Sequence, residues 1–156
     1  MHRWLHRTKD DEKGAALVEF AIILPLLIVM LFGILEASWA FAQQNDVRHG
    51  TREAARLAAV NFGDVQAVAQ EACARMDIVY PATTPVVTIT PISTDGTTGG
   101  LAQITISSTY QTITGMLDNV FGGIDIESTI EFRIEQPMTG ETDWWADGAG
   151  GSYTCP

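Results

Sequence analysis

The spacing of hydrophobic and polar residues changes along this chain of 156 residues, and each change marks a different element. From Phe20 to Leu35 runs FAIILPLLIVMLFGIL, sixteen residues without a charge. Extending the segment to 15–42 gives 28 residues with only two charges, Glu19 and Glu36. A helix rises about 1.5 Å per residue and the bilayer core is about 30 Å thick, so about 20 apolar residues suffice to span it. A helix in the core of a soluble domain would be shorter and would keep a polar face. This one is apolar all round, which predicts a transmembrane helix over 15–42. Pro25 removes one backbone hydrogen bond and bends the axis, a change that membrane helices tolerate, and Gly33 allows another backbone to come close. A cleaved secretory signal would instead place its cut near Ala37-Ser38-Trp39-Ala40. The length of the run and the charged Glu19 at its start favour an anchor.

Past Ala42 the period remains helical, and an extension of the same helix is expected over 43–62. Arg48, Arg52 and Arg56 recur every four residues as one stripe, while Ala54, Ala55, Ala58 and Ala59 form a small-residue face. The stripe reads either as a solvated basic edge or as a subunit contact facing acidic surface. His49 and Glu53 stand four apart and could pair. Asn61-Phe62-Gly63-Asp64 breaks the helix, with Asp64 as N-cap of a second helix near Val65–Met76. Cys73 lies beside that helix's apolar face. From Pro85 the period falls to two. PVVTITP, LAQITISSTYQTIT and IDIESTIEFRIE alternate Ile or Val with Thr, Ser or acid, as antiparallel strands with one wet face do. Asp95–Gly100 is a turn between the first two strands. The expected fold is α+β: a long N-terminal membrane-spanning helix, then a small domain over 63–136 in which a second helix packs on a sheet of three or four antiparallel strands. Residues 137–156, with Trp144-Trp145 and several glycines, are expected as a flexible tail.

Charge and cysteine content narrow the function. The formal net charge is −10, and from Val79 to the end Arg133 stands alone against nine acids. Nucleic-acid binding needs clustered cations, so no nucleic-acid partner is expected. The cysteines, Cys73 and Cys155, allow a single intrachain pairing. They are either bridged, if the tail is exported, or two free thiols in a reducing compartment. No metal-ligand spacing, phosphate-binding glycine loop or nucleophile motif is present, so neither metal nor cofactor is expected. Asp125, Glu127, Glu131 and Glu135 share one strand parity and read as solvated acids on the wet face rather than as a catalytic pair. No catalytic residue is assigned, and the chain is not expected to be an enzyme.

The residues before the apolar run carry a processing signal. Four cations, Arg3, Arg7, Lys9 and Lys13, precede Gly14, and Ala15-Ala16-Leu17-Val18-Glu19-Phe20 follows. Cutting after Gly14 would make Ala15 the first residue and Glu19 the fifth. The new α-amino group is positive at neutral pH. Glu19, one helical turn away, could neutralise its own terminus or that of a neighbouring subunit, and a neutralised pair costs far less in lipid than a lone charge. Basic leader, Gly, Glu at the fifth position and an apolar helix together resemble the type IV prepilin signal. With Leu24-Pro25, Gly33 followed by Glu36, and Arg52-Glu53-Ala54-Ala55-Arg56, the segment resembles the TadE-like family, the minor pseudopilins of tight-adherence (Flp) pili. The likeness is strong over 14–60 and weaker beyond it, through Thr109-Tyr110 and Arg133-Ile134-Glu135. It implies a leader over 1–14 removed by a prepilin peptidase, a single pass through the cytoplasmic (inner) membrane and an extracytoplasmic C-terminal domain. It also implies partnership with other pilin or pseudopilin subunits and the pilus assembly machinery. Asp10, Asp11 and Glu12 depart from the pattern, because they leave the leader only weakly basic. Orientation follows Lys and Arg counts, and four leader cations face three arginines soon after the helix. The competing reading is a single-pass binding module that presents its acidic domain to a partner and has no role in a polymer.

Overall fold

The structure, a computed structural model, describes residues 9–60, 65–77, 79, 83–93, 99–115, 119, 122–135 and 151–156. Among them the order is α1 (Lys9–Val60), α2 (Val65–Ala74), β1 (Val86–Pro91), β2 (Leu101–Thr109), β3 (Asp125–Arg133) and β4 (Gly151–Thr154). The expected α+β layout is present: a long N-terminal apolar helix, a second helix and an antiparallel sheet. The chain divides into two compact units, Met1–Ala37 and Ser38–Pro156, with the division inside α1.

In the first unit, α1 begins at Lys9, upstream of Gly14 rather than after it. A single glycine in a helix costs about 1 kcal/mol relative to alanine, too little to interrupt a helix that a long run of good helix formers propagates. The helix also continues through Pro25. Its apolar side chains face outward: Leu17, Ile22, Leu26 and Val29 are all more than 60% exposed. The helix is long and apolar enough to cross a membrane, and none of its apolar window is buried within the protein. A soluble core helix would bury that surface. A continuous exposed apolar surface is the mark of a membrane or protein contact.

The second unit is built on a four-stranded sheet in the order β3-β2-β1-β4, antiparallel throughout. Its period-two sequence puts Val87, Ile89, Ala102, Ile104, Ile106, Phe132 and Ile134 on one face. There they join Val47, Ala54, Ala55 and Ala58 of α1 and Val68, Ala69, Ala72 and Cys73 of α2 in one core. Both helices thus cover the same face, as a second layer. The alanines of α1 are the small-residue face expected from the spacing. The other sheet face is polar. Ser152, Thr88, Thr105 and Thr129 stand in one row across all four strands. The hydroxyls of Thr105 and Thr129 are 2.9 Å apart.

IDIESTIEFRIE contributes one strand, β3, and its even positions turn inward. One expectation for the end of this unit needs correction. The fourth strand comes from the chain's end. Gly151–Thr154, expected within a flexible tail, pairs with β1 as β4. Backbone bonding to an open strand edge, together with the buried Cys155 beside it, offsets the entropy that glycine-rich chain loses on ordering. Residues 136–150, with Trp144-Trp145, lie outside the described residues, as do Asn61–Asp64 and most of the Asp95–Gly100 turn. Within that turn Gly99 is described and has φ +94°, a conformation that suits glycine, and it receives a hydrogen bond from Arg133 Nε at 3.1 Å.

Candidate functional site

The sequence points to α1 as the functional element, and its residues fall into three sets. The first is the apolar segment in the first unit. Gly14, Ala15 and Glu19 are exposed, as are Pro25 and Gly33. Side chains at Gly14 or Gly33 would meet open space, so neither glycine is required for packing within this chain. Glu36, by contrast, is buried, 4% exposed, although composition alone marks it only as the second charge of the apolar stretch.

The second set is the basic stripe in the second unit. Successive helix residues turn by about 100°, so Arg48, Arg52 and Arg56 project away from the side that carries Val47, Ala54 and Ala58 into the core. All three arginines are exposed. With Asn45, His49 and Glu53 they line a shallow surface depression along the helix. Glu53 pairs with Arg56 at 2.7 Å, one turn on, rather than with His49 as its spacing also allowed. The Arg56 hydrogen bond holds the Glu53 carboxyl below its usual range. Slight burial opposes the shift, and the charges of Arg56, Arg75 and His49 reinforce it. Arg75, at the end of α2, is itself bonded to Glu71 at 2.7 Å. Arg48 and Arg52 form no ion pair among the described residues. The stripe therefore keeps a net positive charge in an otherwise acidic unit.

The third set fixes α1 against the rest of its unit and was not legible as function. Gln43 is buried; its amide donates to the Gln111 carbonyl at 2.7 Å and accepts from the Gln111 N–H at 3.1 Å. It thereby replaces a missing strand for one residue after β2. Asp46 accepts the Val79 N–H at 2.9 Å. At the helix end, the Ala59 carbonyl accepts the Glu135 N–H at 2.9 Å, satisfying one of the last-turn carbonyls that a helix leaves free. The only available signal was position: Gln43, Asp46 and Gly50 recur at three- and four-residue steps, with Thr51 next to Gly50, on the side that carries the alanines.

Gly50 shows how tight this packing is. A Cβ there would lie 2.7 Å from Met76 Cγ and 3.3 Å from the Ala72 carbonyl oxygen. The absence of a side chain is what brings the end of α2 against α1. Gly50→Val is expected to destabilise the unit by about 1–3 kcal/mol despite the better helix propensity of valine. Denaturant unfolding of the detergent-solubilised chain would show a lower midpoint. An unchanged midpoint would mean that Met76 moves aside freely.

Cys73 and Cys155 are joined by a disulfide that links α2 to the residue following β4. Among the described residues no group of three or more His, Cys, Asp or Glu is placed to hold a metal ion. Asp125, Glu127, Glu131 and Glu135 are all exposed on the polar side of the sheet edge, in keeping with solvated acids.

No curated protein and no solved structure matches the chain. The model of the family described as TadE-like protein matches residues 14–56, which run from the glycine before the apolar segment to the last arginine of the stripe. The match and the exposed apolar helix together fit a pilus-associated, membrane-anchored protein. Over residues 14–56 this chain is similar to the TadE-like family.

Proposed function

We propose that the protein is a non-catalytic, membrane-anchored subunit of tight-adherence (Flp) pilus assembly, a minor pseudopilin processed after Gly14 by a prepilin peptidase. The observation that carries this reading is the TadE-like match over 14–56, falling on a helix whose apolar residues from Leu17 to Leu31 turn outward. The Cys73–Cys155 bridge supports an extracytoplasmic C-terminal unit, because oxidising compartments are where such bonds persist. Exposure of Gly14 and Ala15 supports access by a peptidase. Glycine, the weakest non-proline helix former, is also where the helix unwinds most readily for cleavage. After the cut, Glu19 and the new amino terminus would form the neutralised pair that sets register between packed helices.

N-terminal sequencing of the chain extracted from membranes tests the proposal. The expected product begins at Ala15, and Gly14→Phe is expected to leave the leader attached. A wild-type product that retains residues upstream of Gly14 would overturn the reading. So would a start near Phe41, which would indicate ordinary signal-peptide cleavage.

A further inference from the structure

The second unit carries its charges on opposite faces. On the outer side of the helix layer stand Arg48, Arg52 and Arg56, with Glu53 the acid among them. On the outer side of the sheet layer stand Asp125, Glu127 and Glu131 of β3, all exposed and directed away from the core. The core of both layers lies between the two faces. The arginines of one molecule therefore cannot reach these acids of the same molecule, although the two sets are complementary in charge.

They are also complementary in spacing. Arginines four apart on a helix are separated by about 6 Å, and residues two apart on a strand by about 6.7 Å. Two successive arginines can thus lie along Asp125 and Glu127 with their charges in step, while Glu131 stands about 13 Å beyond Glu127 on the same face. Among the described residues β2 is the one strand that pairs with β3, which places β3 at the edge of the sheet. Between the acids, Thr129 and its cross-strand partner Thr105 offer hydroxyls, leaving the face flat and polar.

We infer that the arginine face of one copy docks on the acidic β3 face of a second copy. Because the two surfaces are different and lie on opposite sides of the unit, the contact is heterologous. It leaves one arginine face and one acidic face open at the ends of every assembly, so it propagates as a row of copies rather than closing as a two-fold dimer. It is a polar, salt-screened contact. It involves only the surfaces of the second unit and does not rest on cleavage at Gly14.

The test uses the full chain in detergent micelles, with mass measured by light scattering or sedimentation at low and high salt. The wild type is expected to form a ladder of oligomers at low ionic strength that collapses in 0.5 M salt, an ionic strength at which exposed pairs are largely screened over about 4–5 Å. Arg52→Glu and Glu127→Arg are each expected to weaken association about tenfold or more, since each turns an attraction into a repulsion. Mixing the two variants gives two compatible contacts: the intact arginine face of Glu127→Arg on the intact acidic face of Arg52→Glu, and the two exchanged faces on each other, as in the double variant. The mixture should therefore recover a ladder in which the two variants alternate. The double variant, with both charges exchanged, should recover the ladder. A wild type that stays monomeric at low salt would overturn the inference. So would oligomers indifferent to salt and to both reversals, because apolar helix contacts would then account for them. Neither result bears on processing at Gly14, which is read independently by the amino-terminal sequence.

Discussion

Replacing Cys73 and Cys155 together by alanine is expected to remove about 4–5 kcal/mol of stability from the second compact unit. The bridge joins residues 82 apart in sequence, so in the unfolded chain it closes a long loop and removes much of that chain's freedom. Locally, β4 depends on it. β4 is a four-residue edge strand held to β1 over four residue pairs, from Val86↔Thr154 to Ile89↔Gly151. Four pairs at an open edge are a weak hold, and the two exposed residues, Ser152 and Thr154, add little burial. Without the bridge, β4 should leave the sheet before the rest of the unit unfolds, exposing the second edge of β1. In a thermal melt of the chain in detergent, the loss corresponds to a fall of about 15 °C. Wild type melted with reductant should reproduce the variant. Coinciding melts with and without reductant would sink this prediction.

Ile104→Ala is expected to cost about 2–5 kcal/mol, a large part of the roughly 5–15 kcal/mol that holds a typical domain folded. Ile104 is fully buried at the centre of β2, between Ile89 on one neighbouring strand and Ile130 on the other. Both neighbouring strands are hydrogen-bonded to β2, so the backbone cannot collapse into the space that the deletion leaves. Thr105→Ala, one residue along on the polar face, serves as the comparison and should cost well under half as much. Denaturant midpoints of the two variants read the difference directly. If Thr105→Ala proved the more damaging, the assignment of inner and outer sheet faces would be wrong.

Much of the fold was legible because it depends on local period. The charge-free run from Phe20 to Leu35 demands lipid or a partner whatever surrounds it. The Ile–Thr alternation in LAQITISST can bury only one face, and β2 follows it residue by residue. The small residues Ala54, Ala55 and Ala58 were readable as a packing face for the same reason. The family resemblance was equally local, carried by residue types at fixed offsets around Gly14, Glu19, Pro25 and Glu36, and the matching segment ends at Arg56.

What sequence could not reveal depends on pairs of residues far apart. Gly151–Thr154 has the composition of a loose tail, and only the open edge of β1, about sixty residues earlier, makes it a strand. Gln43 looks like any polar residue on a helix until Gln111 is placed beside it. Gly50 looks like a weak point in α1 until Met76 and Ala72 occupy the space that a side chain would need.

The amino-acid sequence by itself determined the two helices, the first three strands, the apolar segment and the family resemblance, because helix and strand periods and short motifs are properties of neighbouring residues. It also determined that the chain's end is acidic and that an arginine stripe follows the apolar segment. Only the tertiary structure decided that the arginines and the β3 acids occupy opposite outer faces of one two-layer unit. Layer order places residues about eighty positions apart on the same or opposite sides of a core, and no local period encodes it.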